Sequence, residues 1–359
     1  LQTNLPIYHL FVPYSATNAI DTNIGTLGTL FYNGEFYDNV LVQQRGGWTS
    51  TNPLYKKRSH QFKLPEGHEF KYMPGAPRAD NINVNSMYND QSYFREFLCW
   101  ESYREAGVPA STAFHLELRL NGEFHSLGLF IEQPDDDFLT HYGYDKNGAL
   151  YRALDNNTFL ANTSGLIKKR PLDGDISDLQ ALVAGLNTGS TADKERYAFD
   201  NVDLPVLLGY MAVDVAVQDI DSKHKNYFIY RDTYGDGEWR IFGWDKDLSM
   251  GHEWNSASTA LVWNINWFSD NRMHRLLFDV PVFNQMFARR TRTLMDKILQ
   301  APTAPGEQRY FERRIAELHA ALKSLADADR AKYGWPTNIS GYFHYPHHPF
   351  DLGVHELTN

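Results

Sequence analysis

The chain has 359 residues, with 34 Lys and Arg against 44 Asp and Glu, a net charge of −10. This length allows one large domain or two smaller ones around a sizeable core, while the acidic balance argues against nucleic acid or an anionic membrane as the main partner. No run of roughly 18 apolar residues is present, so no membrane-spanning helix is predicted. The single cysteine, Cys99, cannot form an intramolecular disulfide and reads as a buried thiol in an apolar helix. The opening residues, LQTNLPIYHLF, carry neither an initiator Met nor a signal-like apolar core; they read as a processed start and leave a removed signal peptide open.

Residues 5–13 and 29–44 alternate apolar and polar side chains, and Asn33-Gly34 turns one such run into the next, so the chain begins as antiparallel sheet. The second strand ends in Arg45-Gly46-Gly47-Trp48-Thr49-Ser50, and a third is predicted over 59–64. A strand, a glycine turn and a strand bearing an inward lysine is the plan by which kinases cover ATP phosphates with backbone amides, although Gly-Gly turns also join ordinary hairpins. Lys63 is the candidate phosphate lysine, because it alternates with Phe62 and Leu64 and so faces opposite to them.

Residues 65–90, rich in Pro, Gly and Asn, read as an extended loop. A helix over 91–106 follows, capped by Asp90 and stopped by Gly107 with Pro109 beyond. Phe94, Phe97 and Leu98 form its apolar stripe and Glu101 shares that stripe, either to orient the phosphate lysine or to pair with a surface Arg. A hairpin over 115–132 turns at Asn121-Gly122 and leaves the sheet through Glu132-Gln133-Pro134, a candidate hinge. Asp135, Asp136 and Asp137 read as a helix N-terminus, since consecutive side chains point apart and anions favour that end. Beyond them come a short strand over 149–154, a polar stretch with a helix near 178–186, and a long helix from Asp203, with Pro205 in its first turn, to Gln218.

That helix leads into DIDSKHKNYFIYRDTYGDGEWRIFGWDKDLSMG, residues 219–251. Asp221, and five positions on Asn226, precede a hairpin that turns at Gly235-Asp236-Gly237 and ends on Trp244-Asp245-Lys246-Asp247, so the hairpin returns Asp245 toward Asp221. A carboxylate, an amide and two further carboxylates at strand ends are hard oxygen ligands suited to Mg²⁺ and bound phosphate. The spacing from Asp221 to Asn226 is that of a kinase catalytic loop, where Asp takes the proton of the attacking hydroxyl and Asn holds a metal. The stretch 232–238 reads either as the hairpin turn or as a Ca²⁺ loop, without the bidentate Glu of an EF-hand.

The order RGGWTS, HQFKLP, a helix ending in Gly-Val-Pro, NGEF with LGLFIEQ, ALYRA, then HKNYFIYRD with EWRIFGWDKDLSMG resembles the CotH family of spore-coat-protein-H-like atypical kinases. The resemblance covers roughly residues 5–300 and is most specific where NYFIY pairs with W-D-x-D-x-x-x-G. It implies an α+β, two-lobed protein-kinase-like fold: an antiparallel-sheet part over 1–133, and a mainly helical part with a metal-binding hairpin over 134–359. It also implies ATP, Mg²⁺ or Mn²⁺, and a protein substrate bearing a Ser or Thr hydroxyl. On the matching positions, Asp221 resembles the catalytic aspartate, Asn226 its polar neighbour and Asp245 the metal aspartate, with Asp247 as a further or alternative ligand. Trp239 and Tyr151 resemble aromatics that sandwich adenine, with hairpin core as the other reading of Trp239. Two departures are a Gly-Gly turn after Arg45, where the family has Arg-Gly-polar-Ser, and Arg152 where many members carry Lys.

Residues 263–267 read as an aromatic loop, and helices over 282–299 and 307–332 are expected to cover the second part. His344, His347 and His348 lack a carboxylate or Cys at ligand spacing and read as packed tail. Two rivals keep the same residues: a non-catalytic surface or coat scaffold binding Ca²⁺ and protein or glycan, and a nucleotidyl transferase. The expected location is secreted or associated with a cell surface or coat.

Overall fold

A computed structural model describes residues 4–53, 55–155, 158–251, 269–334 and 349–358. Alternation builds the first part. Strands β1 (Ile7–Phe11), β2 (Thr26–Tyr32) and β3 (Glu35–Arg45) are followed by a single turn of helix, α1 (Trp48–Thr51). Then come β4 (Ser59–Lys63), β5 (Asn81–Asn85), helix α2 (Arg95–Glu105), β6 (Ala113–Leu120) and β7 (Glu123–Ile131). The strands close into a barrel in the order β1-β2-β3-β4-β5-β7-β6, with β1 parallel to β6 and the other neighbours antiparallel. Closure leaves no free edge. It encloses Tyr8, Leu10, Val40, Val42, Phe62, Ile82 and Val84, one face of each strand. The expected sheet is thus a barrel, and β5 lies inside the stretch predicted as loop, because its partners β4 and β7 supply hydrogen bonds that a Pro- and Asn-rich sequence does not advertise.

Asp135 caps α3 (Asp136–His141) by accepting from the Asp137 amide, the role expected of the acidic triplet. Strands β8 (Ala149–Ala153) and β9 (Leu166–Arg170) precede helices α4 (Ser177–Asn187), α5 (Thr191–Asn201) and α6 (Leu204–Ala216); β10 (Tyr227–Arg231) and β11 (Trp239–Gly243) follow. These four strands form a second, antiparallel sheet in the order β11-β10-β8-β9. Nearly every residue of β8, β10 and β11 is buried, consistent with a sheet covered on both faces. Helix α6 starts on the Asp203 cap with Pro205 in its first turn, as expected, and packs on β11, α2 and α8 (Pro281–Ile298), which follows α7 (Arg272–Asp279).

One apolar cluster fills the barrel, and a larger one runs from α2 and the outer side of β6 and β7 into the second sheet and its helices. Position 133 therefore ends the barrel without dividing the larger core. The last long helix, α9 (Tyr310–Tyr333), was expected over the second part alone but also crosses to the first. Its Asp329, buried, accepts from Lys57 Nζ at 2.7 Å, Tyr93 Oη at 2.8 Å and the Leu127 amide at 2.8 Å. Helix α10 (Phe350–Thr358) packs on α9. The predicted aromatic loop and the three tail histidines lie outside the described residues.

Candidate functional site

A cavity of about 890 Å³ lies between the outer face of β3, β4 and β5 and the ends of β8, β10 and β11. It is lined by Arg45, Glu96, Arg152, Asp221, Lys225, Trp244, Asp245 and Asp247, among others. These residues are spread over 200 positions of sequence, and the barrel and the second sheet bring them together.

The loop side is set by the hairpin. The Trp244 amide donates to the Asn226 carbonyl at 2.9 Å, so the ladder continues one step past the strands. Asn226 and Asp245, which flank that step, both sit in the left-handed region (φ 60° and 54°), where Asn and Asp are the residues that tolerate it best. Asn226 Nδ2 then donates to Asp221 Oδ2 at 2.7 Å, and Lys225 Nζ lies 3.1 Å from the same oxygen. Asp221 Oδ1 is buried and, among the described residues, has no hydrogen-bond partner, with His224 Nε2 at 3.4 Å. Asp221 is therefore oriented through one oxygen, leaving the other for a proton or a ligand.

Alternation within two short motifs divides them between cavity and core. In Asp219-Ile220-Asp221 the second carboxylate lines the cavity, whereas Asp219 is buried beneath it and accepts from Lys246 Nζ at 2.6 Å. In Asp245-Lys246-Asp247 the aspartates line the cavity and Lys246 is fully buried, with Asp214 at 3.8 Å and the rings of Tyr103 and Tyr210 beneath its ammonium. Burial pulls the ammonium toward neutrality, but Asp219, Tyr210 and Asp214 outweigh it and hold its pKa well above the usual lysine range. This pair bolts the loop carrying Asp221 to the loop carrying Asp245 and Asp247. Backbone bonds from Ile220 to Leu248 and from Met250 to Val217 reinforce it.

The barrel supplies one cation, Arg45, and β8 of the second sheet another, Arg152. Arg45, at the end of β3, donates to Asn85 Oδ1 on β5, and Asn85 Nδ2 donates to both oxygens of Glu96 at 3.1 and 2.9 Å. The guanidiniums of Arg45 and Arg152 both stack on Trp244, 5.3 and 5.7 Å from its ring centroid. Burial lowers the pKa of both, and Asp245 opposes that by favouring their charged forms. The carboxylates crowd one another. Burial, then Asp245, pushes Glu96 up to about 7. Burial, then Asp245, Glu96 and Asp221, holds Asp247 well above the usual carboxylate range. Excess negative charge at a desolvated point is an environment that favours a cation, and carboxylate and amide oxygens are the donors a hard divalent ion takes. Among the described residues, no three His, Cys, Asp or Glu side chains are gathered as closely as a coordination shell requires.

Several expected residues lie elsewhere. Lys63 has the predicted facing, opposite to buried Phe62 and Leu64, but it is exposed at the far end of β4 and does not line the cavity. Arg45 and Arg152 are among the cationic side chains that do line it. Glu101 does not face a phosphate lysine; α9 captures it through Arg314, whose Nη2 and Nε donate at 2.7 and 3.0 Å. The glutamate of α2 that reaches the cavity is Glu96. It was missed because α2 is buried on almost all sides, so its apolar stripe does not reveal which side faces a cleft. Trp239 and Tyr151 do not frame the cavity. They pack on each other at 6.0 Å inside the second sheet, Tyr151 bonds Asp178 of α4, and Trp239 is hairpin core. The turn 232–238 is a hairpin turn whose Asp236 is held by Arg240 and the Glu238 amide.

A family model described as "CotH kinase protein" matches residues 42–344. The chain belongs to the CotH kinase family. It is 24% identical over 348 residues to the inner spore coat protein H of Bacillus subtilis (strain 168), an alignment covering 92% of this chain and 90% of that protein. Among solved structures, the proinflammatory kinase CtkA of Helicobacter pylori is 12% identical and matches 72% of this chain and 94% of its own, with a TM-score of 0.28. That score is too low for the likeness to bear on the fold. In this CotH chain the family match spans the whole cavity wall, from the end of β3 through both motifs of the hairpin.

Proposed function

We propose that this CotH chain is a protein kinase that binds ATP with Mg²⁺ or Mn²⁺ in the cavity and transfers the γ-phosphoryl group to a Ser or Thr hydroxyl of a protein. The observation that carries the reading is the meeting, in one cavity, of an oriented aspartate (Asp221), crowded carboxylates (Asp245, Asp247, Glu96) and buried guanidiniums (Arg45, Arg152). Family membership and the spore-coat relative support it, and the relative also favours an association with a coat or surface.

In this mechanism Asp245, Asp247 and Asn226 would hold the divalent ion, whose charge neutralises the polyphosphate. Arg45 and Arg152 pair with phosphate oxygens while Trp244 keeps them stacked and oriented. Asp221 accepts the proton of the acceptor hydroxyl as its oxygen bonds to the γ-phosphorus and the bond from that phosphorus to the β–γ bridging oxygen breaks, releasing ADP. Asn226 holds the carboxylate of Asp221 in position, and Lys225 beside it stabilises the charge that develops on the transferring group.

Transfer of radiolabel from [γ-³²P]ATP to a coat or surface protein, or to the chain itself, tests the assignment. Asp221→Asn and Asp245→Ala are each expected to lower transfer by 10³-fold or about that order; if both leave it intact, the assignment is wrong. Thermal melts separate the kinase from a Ca²⁺ scaffold, since a nucleotide binder gains stability with ATP plus Mg²⁺ or Mn²⁺ and a scaffold with Ca²⁺ alone. Mass spectrometry of the product separates phosphoryl from nucleotidyl transfer.

A further inference from the structure

Between Arg45 and Glu96, in the wall of the cavity, stands an uncharged residue, Asn85. In the register of the barrel, Arg45 on β3 sits opposite Ser59 on β4, and His60 opposite Val84 on β5, so Asn85 follows as the neighbour of Ser59. Ser59 Oγ accepts from the Ser86 amide at 2.9 Å, which fixes the backbone just beyond Asn85. The Asn85 side chain then meets a cation on one side and an anion on the other. Its Oδ1 accepts from Arg45 Nη1, and its Nδ2 donates to both oxygens of Glu96, in the first turn of α2, at 3.1 and 2.9 Å. A neutral amide can do both at once, whereas a carboxylate at this position would repel Glu96 and an ammonium would repel Arg45. Trp244, 5.3 Å from the Arg45 guanidinium, sets the plane of that group, and the bond to Asn85 sets its rotation within the plane. Among the described residues Asn85 is the acceptor for the Arg45 side chain, so its other N–H groups are left for a ligand.

We infer that Asn85 is a positioning residue that turns the Arg45 guanidinium toward the polyphosphate and holds it off Glu96; the inference rests on the nucleotide-binding function proposed above. Without the amide, guanidinium and carboxylate are free to close on each other. A direct Arg–Glu pair in this buried wall would be bidentate and would take for itself the charge and the donors that the phosphates need. With the amide in place both groups are satisfied and kept apart. Glu96 is only 4% exposed, so the two bonds from Asn85 also replace the water that its carboxyl has lost. The barrel cation is therefore oriented by an amide bridge to α2, not by an ion pair with it.

Calorimetric titration of the chain with Mg-ATP, together with steady-state kinetics, tests this. Asn85→Leu, close to isosteric, is expected to weaken Mg-ATP binding by about tenfold and to raise KM for ATP in parallel, with kcat changed by less than about threefold. In an Arg45→Met background the same substitution is expected to add nothing, because a residue that acts through Arg45 has nothing left to position. Asn85→Asp keeps an acceptor for Arg45 but sets two carboxylates together, and should weaken binding as well. Adding Glu96→Gln to it turns the second hydrogen bond round, from amide to carboxylate, and should recover most of the loss. Thermal melts show which variants are folded; if Asn85→Leu is not, Asn85→Asp and its pairing with Glu96→Gln decide the matter. Wild-type affinity in Asn85→Leu or in Arg45→Met, an equal loss with and without Arg45, or a pairing no better than Asn85→Asp overturns the inference and leaves the nucleotide site standing. A wild type that does not bind Mg-ATP overturns both.

Discussion

Two buried lysines in this protein have the same kind of partner and opposite consequences. Lys57 joins the barrel to α9 through Asp329, and Lys246 joins the Asp221 loop to the Asp245 loop through Asp219. Each is a buried ammonium at 2.7 or 2.6 Å from a carboxylate. Around Lys57 burial dominates and lowers its pKa despite Asp329, whereas Asp219, Tyr210 and Asp214 outweigh burial and keep Lys246 charged. The first pair lies among barrel, α2 and α9; its alternating neighbours in sequence, Tyr55 and Ser59, also line the cavity but bring no carboxylate to it. The second alternates in sequence with the very aspartates that line the cavity. A buried ion pair is thus a scaffold in one place and a positioning device in the other, and the neighbours in sequence decide which.

The largest effect expected from breaking this comparison is in Lys246→Met. It leaves Asp219 and Asp214 buried without their cation, which costs about 3–5 kcal/mol of stability. It also frees the two loops to move apart, so that any folded protein loses phosphoryl transfer in kcat with KM for ATP little changed. Lys57→Met is expected to cost a similar 3–5 kcal/mol or so by denaturant titration, while the folded fraction keeps its kcat. Equal loss of kcat in both variants, per folded molecule, would remove the distinction.

A smaller effect comes from Glu96. Its carboxyl is raised from the ordinary 4.5 to about 7, so in the ligand-free protein the folded state keeps a proton that the unfolded state releases. Its stabilising contribution is present below about pH 4.5 and is lost as pH rises through 7. Asp247, also raised, acts with the same sign. In Glu96→Gln the decline in stability from pH 5 to pH 8 is expected to shrink, and Mg²⁺ with ATP should flatten it further in the wild type, as thermal melts at the two pH values would show. The smallest effect is that of Lys63→Ala. This exposed lysine is outside the cavity, and its removal should change neither ATP affinity nor stability by more than about 0.5 kcal/mol.

Much of this architecture is written locally. The Asn33-Gly34 and Asn121-Gly122 hairpins, the Asp135 and Asp203 caps and the hairpin after Asn226 follow from turn chemistry, capping and alternation, and each stands where those rules place it. The carboxylates of 219–251 were legible for the same reason, since a short hairpin must return Asp245 close to Asp221 whatever the rest of the chain does. Strand β5 was not legible, because a Pro- and Asn-rich stretch shows no pattern until its partners are present, whereas α5 was missed although Ser190 and Asp193 form a capping box at its start. Neither was the cavity-facing glutamate legible. Glu96 and Glu101 lie on one almost wholly buried helix, and only the packing of α9, with Arg314, decides that Glu101 turns to the helix and Glu96 to the cavity. Trp239 and Gln61 show the same division: both alternate correctly along their strands, but alternation says only which face a residue takes. Whether that face meets a cleft, a helix or solvent is fixed by contacts between elements far apart in the chain, and those contacts exist only once the barrel has closed and the second sheet has docked against it.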